Sequence, residues 1–174
     1  WDYNDPREII GETKIVAYGF DRFFNLQQAE AAEIDWDHSY SINLKVDGTM
    51  IILYWDDFQQ EWHTATRSVA EANLPLNDRG LTFRQLFEQA VQEYLKISFE
   101  DFTNHLSKGF TYIFELCSPY NRIVIEYKEC QIFLLGVRGK TLGYEYPPQE
   151  IAFYYKFPHI QLPSYEIKSQ EDIV

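Results

Sequence analysis

The sequence predicts an α+β domain with mostly antiparallel sheets flanked by helices, and three observations carry that expectation. Strand-like runs rich in β-branched and aromatic residues fill the first third of the chain and return after residue 110. Between them the apolar period changes to that of a helix, in "LTFRQLFEQAVQEYLK" (81–96). The order strands, helices, strands, with no repeat and no low-complexity linker, describes one unit over residues 1–174. At 45% hydrophobic and 17% aromatic residues, disorder is excluded, and 174 residues suffice to bury a core.

The elements follow in order. "TKIVAYGF" (13–20) has strand composition. "SINLKV" (41–46) alternates, with Ile42, Leu44 and Val46 on one face and Asn43 and Lys45 on the other. Asp47-Gly48 is a hairpin-turn signal, with "TMIILYW" (49–55) as the return strand and "EWHTATRS" (61–68) as a third. In the helix, Phe83, Leu86, Phe87, Ala90, Val91, Tyr94 and Leu95 share a face, and Thr82 with Gln85 fits a capping box. Ser98 caps a second helix that should stop at Lys108-Gly109. Strands resume in "FTYIFELC" (110–117), "RIVIEYK" (122–128) and "QIFLLGVR" (131–138), and Pro147-Pro148 opens a last helix to about Tyr155.

Net charge is −12, which argues against nucleic-acid binding driven by overall charge and leaves room for a local basic groove. No apolar run reaches membrane-span length, and nothing at the start reads as a signal peptide. Cys117 and Cys130 lack metal-ligand spacing and read as reduced core thiols of an intracellular, cytoplasmic protein. His38, His63, His105 and His159 show no ligand spacing either, and the tryptophans at 1, 36, 55 and 62 read as packing.

Two residues stand out from this background. Lys45 lies between apolar runs in "LKVDGTM" (44–50), and Glu115 lies in an otherwise apolar strand. By parity Glu115 shares a face with Thr111, Ile113 and Cys117, where a carboxylate is costly unless paired or metal-bound. A surface lysine and a structural salt bridge would account for them. So would a lysine nucleophile, which must lose its proton and needs an anionic substrate. Attack on a nucleotide phosphate calls for cations, a metal and a carboxylate. Lys45, Asp47, Arg22, Arg67 and Glu115 are the residue types of such a site.

"KVDG" (45–48) looks like the Lys-x-Asp-Gly nucleotide-attachment motif of the covalent nucleotidyltransferases. "FELCSPYNRIVIEY" (114–127), with "DRFFN" (21–25) before the lysine and "IFLLGVRG" (132–139) after, resembles the ATP-dependent RNA ligases of the phage tRNA-repair type. The resemblance implies a ligase adenylation domain in which Lys45 takes AMP from ATP, with Asp47 and Gly48 completing its motif. Arg22 would contact the nucleotide phosphates. Arg67 stands where the family has a basic residue before Gly-Ser, although here serine follows directly. Glu115 would meet the ribose and a magnesium ion, directly or through water. Ile132 or Phe133 would wall the adenine, unless they are ordinary core packing, and Asn121-Arg122 reads as structural. The implied partners are ATP, Mg2+ and RNA with 5′-phosphate and 3′-hydroxyl ends.

The family also has a Glu-Gly and a Lys-x-Lys motif downstream. Neither occurs after residue 145, where Lys168 has no partner two residues away. The chain is therefore expected to be the inner part of such a domain and a poor ligase on its own. A degenerate fold that binds RNA or protein, and a DNA ligase or capping-type enzyme, stand as alternatives.

Overall fold

The computed structural model describes residues 15–25, 28–33, 35, 42–73, 75–76 and 80–165. Trp1, Trp36, His38, Ser41, the first two residues of the expected strand at 13–20 and the tail with Lys168 lie outside the described residues.

Five strands form the main sheet: β2 (Thr49–Asp56), β3 (Glu61–Thr66), β4 (Phe110–Cys117), β5 (Gln131–Gly139) and β6 (Glu145–Tyr146). Their order is β3-β2-β4-β5-β6 and every pairing is antiparallel. A second, two-stranded sheet joins β1 (Ile42–Asn43) to β7 (Ser164–Tyr165). The helices are α1 (Phe83–Leu95), α2 (Phe99–Thr103) and α3 (Ala152–Lys156). Among the described residues no helix is long and apolar enough to cross a membrane.

Strand parity separates two environments. Ile51, Leu53, Tyr112, Phe114, Leu116, Ile132, Leu134 and Val137 bury themselves against Leu86, Phe87, Ala90 and Val91 of α1. The helix starts where Thr82 accepts the Gln85 N–H and Gln85 returns a bond to the Thr82 amide, the expected capping box. The opposite face carries Ile52, Tyr54 and Ala65, with Ala17 and Met50 packed against them.

Several expected elements differ. Residues 15–20 are not a strand. They lie across the second sheet face, where the Tyr18 N–H donates to Thr111 Oγ1 and the Phe20 ring occupies the space a side chain at Gly136 would need. The Tyr18 N–H and the Gly19 carbonyl are thus met by side chains instead of a ladder. Asp47-Gly48 does not close a hairpin, because β1 pairs with β7 and residues 44–48 pass from one sheet to the other. Gly48 is needed for proximity, since a β-carbon there would collide with the Leu116 carbonyl. "RIVIEYK" forms no strand, because the Val124 and Ile125 N–H groups both donate to Asp47 and leave Ile123, Val124 and Ile125 exposed. Of "SINLKV" only Ile42–Asn43 is strand. The second helix ends at Thr103, well before Lys108-Gly109. The last one breaks at Ile151 between a 3-10 turn at Pro148–Glu150 and α3.

Thr82→Ala removes the acceptor at the start of α1 and should cost about 1 kcal/mol of stability, with Thr82→Ser close to wild type. Urea denaturation of the three proteins measures the difference.

Candidate functional site

Lys45 owes its exposure to a tight local turn. The Val46 N–H donates to the Leu44 carbonyl at 3.1 Å, which makes Lys45 the central residue of a γ-turn. The Leu44 N–H donates to Pro163, so the segment is tied on its near side to the β7 end of the chain.

On its far side the same segment is tied to β4 and to the loop after it. The Gly48 amide faces the Glu115 carboxyl and acts to lower it. The Asp47 N–H donates to the Tyr127 hydroxyl at 3.4 Å. Asp47 Oδ2 accepts from Val124 N at 2.8 Å and Ile125 N at 2.7 Å. Those amides, Ile125 first and then Val124, hold the Asp47 carboxyl below its ordinary value, and the Lys45 charge acts in the same direction.

Glu115 behaves in the opposite way. Half-burial pushes its carboxyl above the ordinary value. The Gly48 N–H and the Lys45 charge oppose that rise without cancelling it, and the Asp47 charge adds to it. Lys45 therefore lies within electrostatic reach of both carboxylates.

The ladder aligns further residues with Glu115. Met50 of β2 lies opposite Glu115 on one side and Phe133 of β5 on the other. Arg67 comes one residue after Thr66, the partner of Ile51, and so stands level with Met50 at this end of the sheet. Arg67 is exposed. Phe133 is half-buried, with its ring 6.3 Å from that of Tyr94, whereas Ile132 is wholly buried in the core. Of the two adenine-wall candidates, only Phe133 shares the Glu115 row. Arg22 lies on the segment across the second face, exposed, with its guanidinium 4.9 Å from the Phe24 ring centre.

Asn121 braces the corner after β4. Its amide donates to Thr49 Oγ1 and to the Leu116 carbonyl at 3.0 Å each, and its oxygen accepts from Ser118. Arg122 is exposed and pairs with Glu126. Tyr127 carries no sequence signal of its own, and Cys117 reads from the sequence only as a core thiol beside Glu115. Burial pushes the Tyr127 hydroxyl up to about 12 and the buried Cys117 thiol up to about 11. One hint was available: Ile123, Val124 and Ile125 are consecutive, so a strand there could not bury all three on one face.

Among the described residues no group of three or more acidic, histidine or cysteine side chains could hold a metal ion. Magnesium shared with substrate phosphates needs only one or two carboxylates. Asp47 Oδ2 is taken by the Val124 and Ile125 amides, whereas at Glu115 the Gly48 amide and the Lys45 charge only partly offset the cost of burial. Glu115 thus fits such an ion, and a protein-only metal cage does not.

Comparison with known proteins supplies the remaining evidence. A family model described as RNA ligase matches residues 4–173. The RNA ligase of Rhodothermus phage RM378 is 28% identical, the match covering 72% of this chain and 34% of that protein. A protein of Autographa californica nuclear polyhedrosis virus, provisionally named a bifunctional polynucleotide kinase/RNA ligase, is 35% identical over 74% of this chain and 20% of its own length. The chain thus spans about a third and a fifth of these two relatives. Among solved structures, an archaeal ATP-dependent RNA ligase aligns with a TM-score of 0.49 at 16% identity, covering 72% of this chain and 31% of the other.

The raised Glu115 carboxyl gives a signed expectation. As pH rises the unfolded chain ionises Glu115 first. Its stability contribution is therefore full below the ordinary glutamate value and is lost as pH rises through the higher folded value. Glu115→Gln removes that loss. Thermal melts at about pH 4 and about pH 7 should show the variant gaining on wild type at the higher pH. A variant that is weaker at the higher pH and recovers at the lower one would make Glu115 half of a stabilising ion pair.

Proposed function

The chain belongs to the T4-type RNA ligase family, and from that premise we propose that it carries the lysyl-AMP site of an ATP-dependent RNA ligase. Residues 1–174 then make up a nucleotidyltransferase domain, or part of one. The observation that supports this reading best is that Asp47, two residues after the exposed Lys45, accepts the Val124 and Ile125 amides from the loop after β4, the strand that carries Glu115. These bonds hold the segment that exposes Lys45 within electrostatic reach of the carboxylate a nucleotide site needs.

The chemistry has three displacements at phosphorus. The Lys45 amine, having lost a proton, attacks the α-phosphorus of ATP. A P–N bond forms, the bond to pyrophosphate breaks, and a second proton leaves the nitrogen. The 5′-phosphate of an RNA then attacks the same phosphorus: a phosphoanhydride P–O bond forms, the P–N bond breaks, and the nitrogen takes up a proton to return as the lysine amine. An RNA 3′-hydroxyl finally attacks the 5′-phosphate, loses its proton, expels AMP and makes the phosphodiester.

Each protein group has a role in placing charge. Arg22 and Arg67 face the triphosphate, where fixed cations are worth most as pyrophosphate leaves. Phe133 packs along the adenine. Glu115 sits at the ribose and would hold magnesium, directly or through water; the bound ion would screen the phosphate charges. Asp47 and Gly48 hold the lysine turn against β4. The two buried free thiols fit a reducing, intracellular compartment.

The test uses the complete natural protein with α-labelled ATP and magnesium. A protein–AMP adduct should form, mass spectrometry should place it on Lys45, and Lys45→Ala should abolish it. Glu115→Gln should slow adenylylation or sealing about 10²-fold while the protein stays folded. An adduct on another lysine would sink the assignment. No adduct at all would favour a module that binds RNA or protein without catalysis. Sealing of DNA ends in preference to RNA, or transfer of GMP in place of AMP, would move the chain to the related enzyme classes.

A further inference from the structure

The segment that carries Arg22 has almost no backbone ladder to hold it. Among residues 15–25 no strand is formed. What fixes the segment is a buried guanidinium from β5. Arg138 is 7% exposed and uses every donor it has. Nε and Nη2 donate to the Gly143 carbonyl at 2.9 and 2.6 Å. Nη1 donates to the Gly19 carbonyl at 2.7 Å and to Asp21 Oδ1 at 3.1 Å, and Nη2 reaches Asp21 Oδ2 at 3.3 Å. The Tyr18 ring centre lies 5.3 Å from the guanidinium, and the same ring packs on the α-carbon of Gly143.

These five bonds tie three pieces of chain to one rigid plane: β5, the turn at 140–143 and residues 19–21. The segment advances along the sheet from Thr111, met by Tyr18, to the level of Ile113, where Phe20 covers Gly136. Two further residues along β4 in that direction lie Glu115 and Phe133. Arg22 directly follows the residue that Arg138 grips.

We propose that Arg138 is the positioning residue for Arg22, holding through Asp21 and Gly19 the segment that delivers Arg22 to the nucleotide phosphates. The role rests on the assignment of Arg22 above. Arg138 touches no reacting atom; it sets where a cation stands. A lysine could not replace it, because a single ammonium cannot serve two carbonyls and both carboxylate oxygens in one plane.

The experiment is a double-variant cycle in the complete natural protein, read by the ATP dependence of adenylylation. Arg22→Ala and Arg138→Met should each cost about 10- to 100-fold in kcat/KM for ATP. The double variant should be no worse than Arg22→Ala alone, since Arg138 acts through Arg22. Arg138→Lys should not rescue. Hydrogen exchange supplies a readout independent of activity: Arg138→Met should raise exchange in residues 15–25 and leave 110–117 unchanged. If Arg138→Met does not fold, Asp21→Asn weakens the same link while Arg138 keeps its two carbonyls, and should show the same pattern more weakly. Costs that multiply in the double variant would overturn the proposal, as would unchanged exchange in 15–25. If Arg22→Ala leaves adenylylation intact, the reading of Arg22 fails and this proposal with it, whereas unchanged exchange refutes Arg138 alone.

Discussion

Backbone amides that leave a sheet must find acceptors elsewhere, and the geometry around Lys45 follows from how three segments meet that requirement. The amides of Asp47 and Gly48 have no strand partner. The Asp47 amide bonds to Tyr127, from the loop after β4, and the Gly48 amide faces Glu115 of β4 itself. The amides of Val124 and Ile125 have none either, and they bond to Asp47. The exchange is reciprocal: the lysine turn supplies a carboxylate to the loop, and the loop supplies a hydroxyl to the turn. Neither segment has a regular conformation to fall back on, so each is ordered by the other.

The two carboxylates nearest Lys45 divide the electrostatic work. Asp47 is bonded by two amides and stays ionised well below neutrality, which suits a group that must hold chain in place. Glu115 is half-buried, and the Gly48 amide and the Lys45 charge only partly offset the cost of its charge. Under the proposed function a bound cation would relieve the rest, and the ligand-facing role falls to Glu115, the less compensated of the pair.

The regular core was legible in the sequence. β2, β3, α1, β4 and β5 all follow from periodicity and one capping box, because each buries one face against the others. The failures share a cause. "TKIVAYGF" and "RIVIEYK" have strand composition, yet side chains from distant segments, Thr111 and Arg138 for one and Asp47 for the other, take their backbone groups. β-propensity reports fit to a half-buried surface, and a segment can meet that need by lying on a sheet as well as within it. Glu115 was legible because it breaks a pattern, and Lys45 because its neighbours form a motif. Tyr127, Asn121 and Arg138 break no pattern, and their roles exist only through contacts as far as 119 residues apart in sequence.

This distribution of anchors has a consequence for how the site is held. The Glu115 side is rigid, built on the central strand of the sheet and backed by Phe114 and Leu116 in the core. The Lys45 and Arg22 sides are segments laid onto that strand and fastened by few, charge-assisted bonds. Charge-assisted bonds are stronger than neutral ones, although the Asp21 carboxylate is exposed and screened by solvent, and each fastening depends on a single side chain. The low-stability parts of a fold are commonly the ones that move during a catalytic cycle. If Lys45 carries AMP as proposed, it gains from standing on a fastened loop instead of on a strand. Asp47 and Arg138 are those fastenings, one for the segment of Lys45 and one for the segment of Arg22.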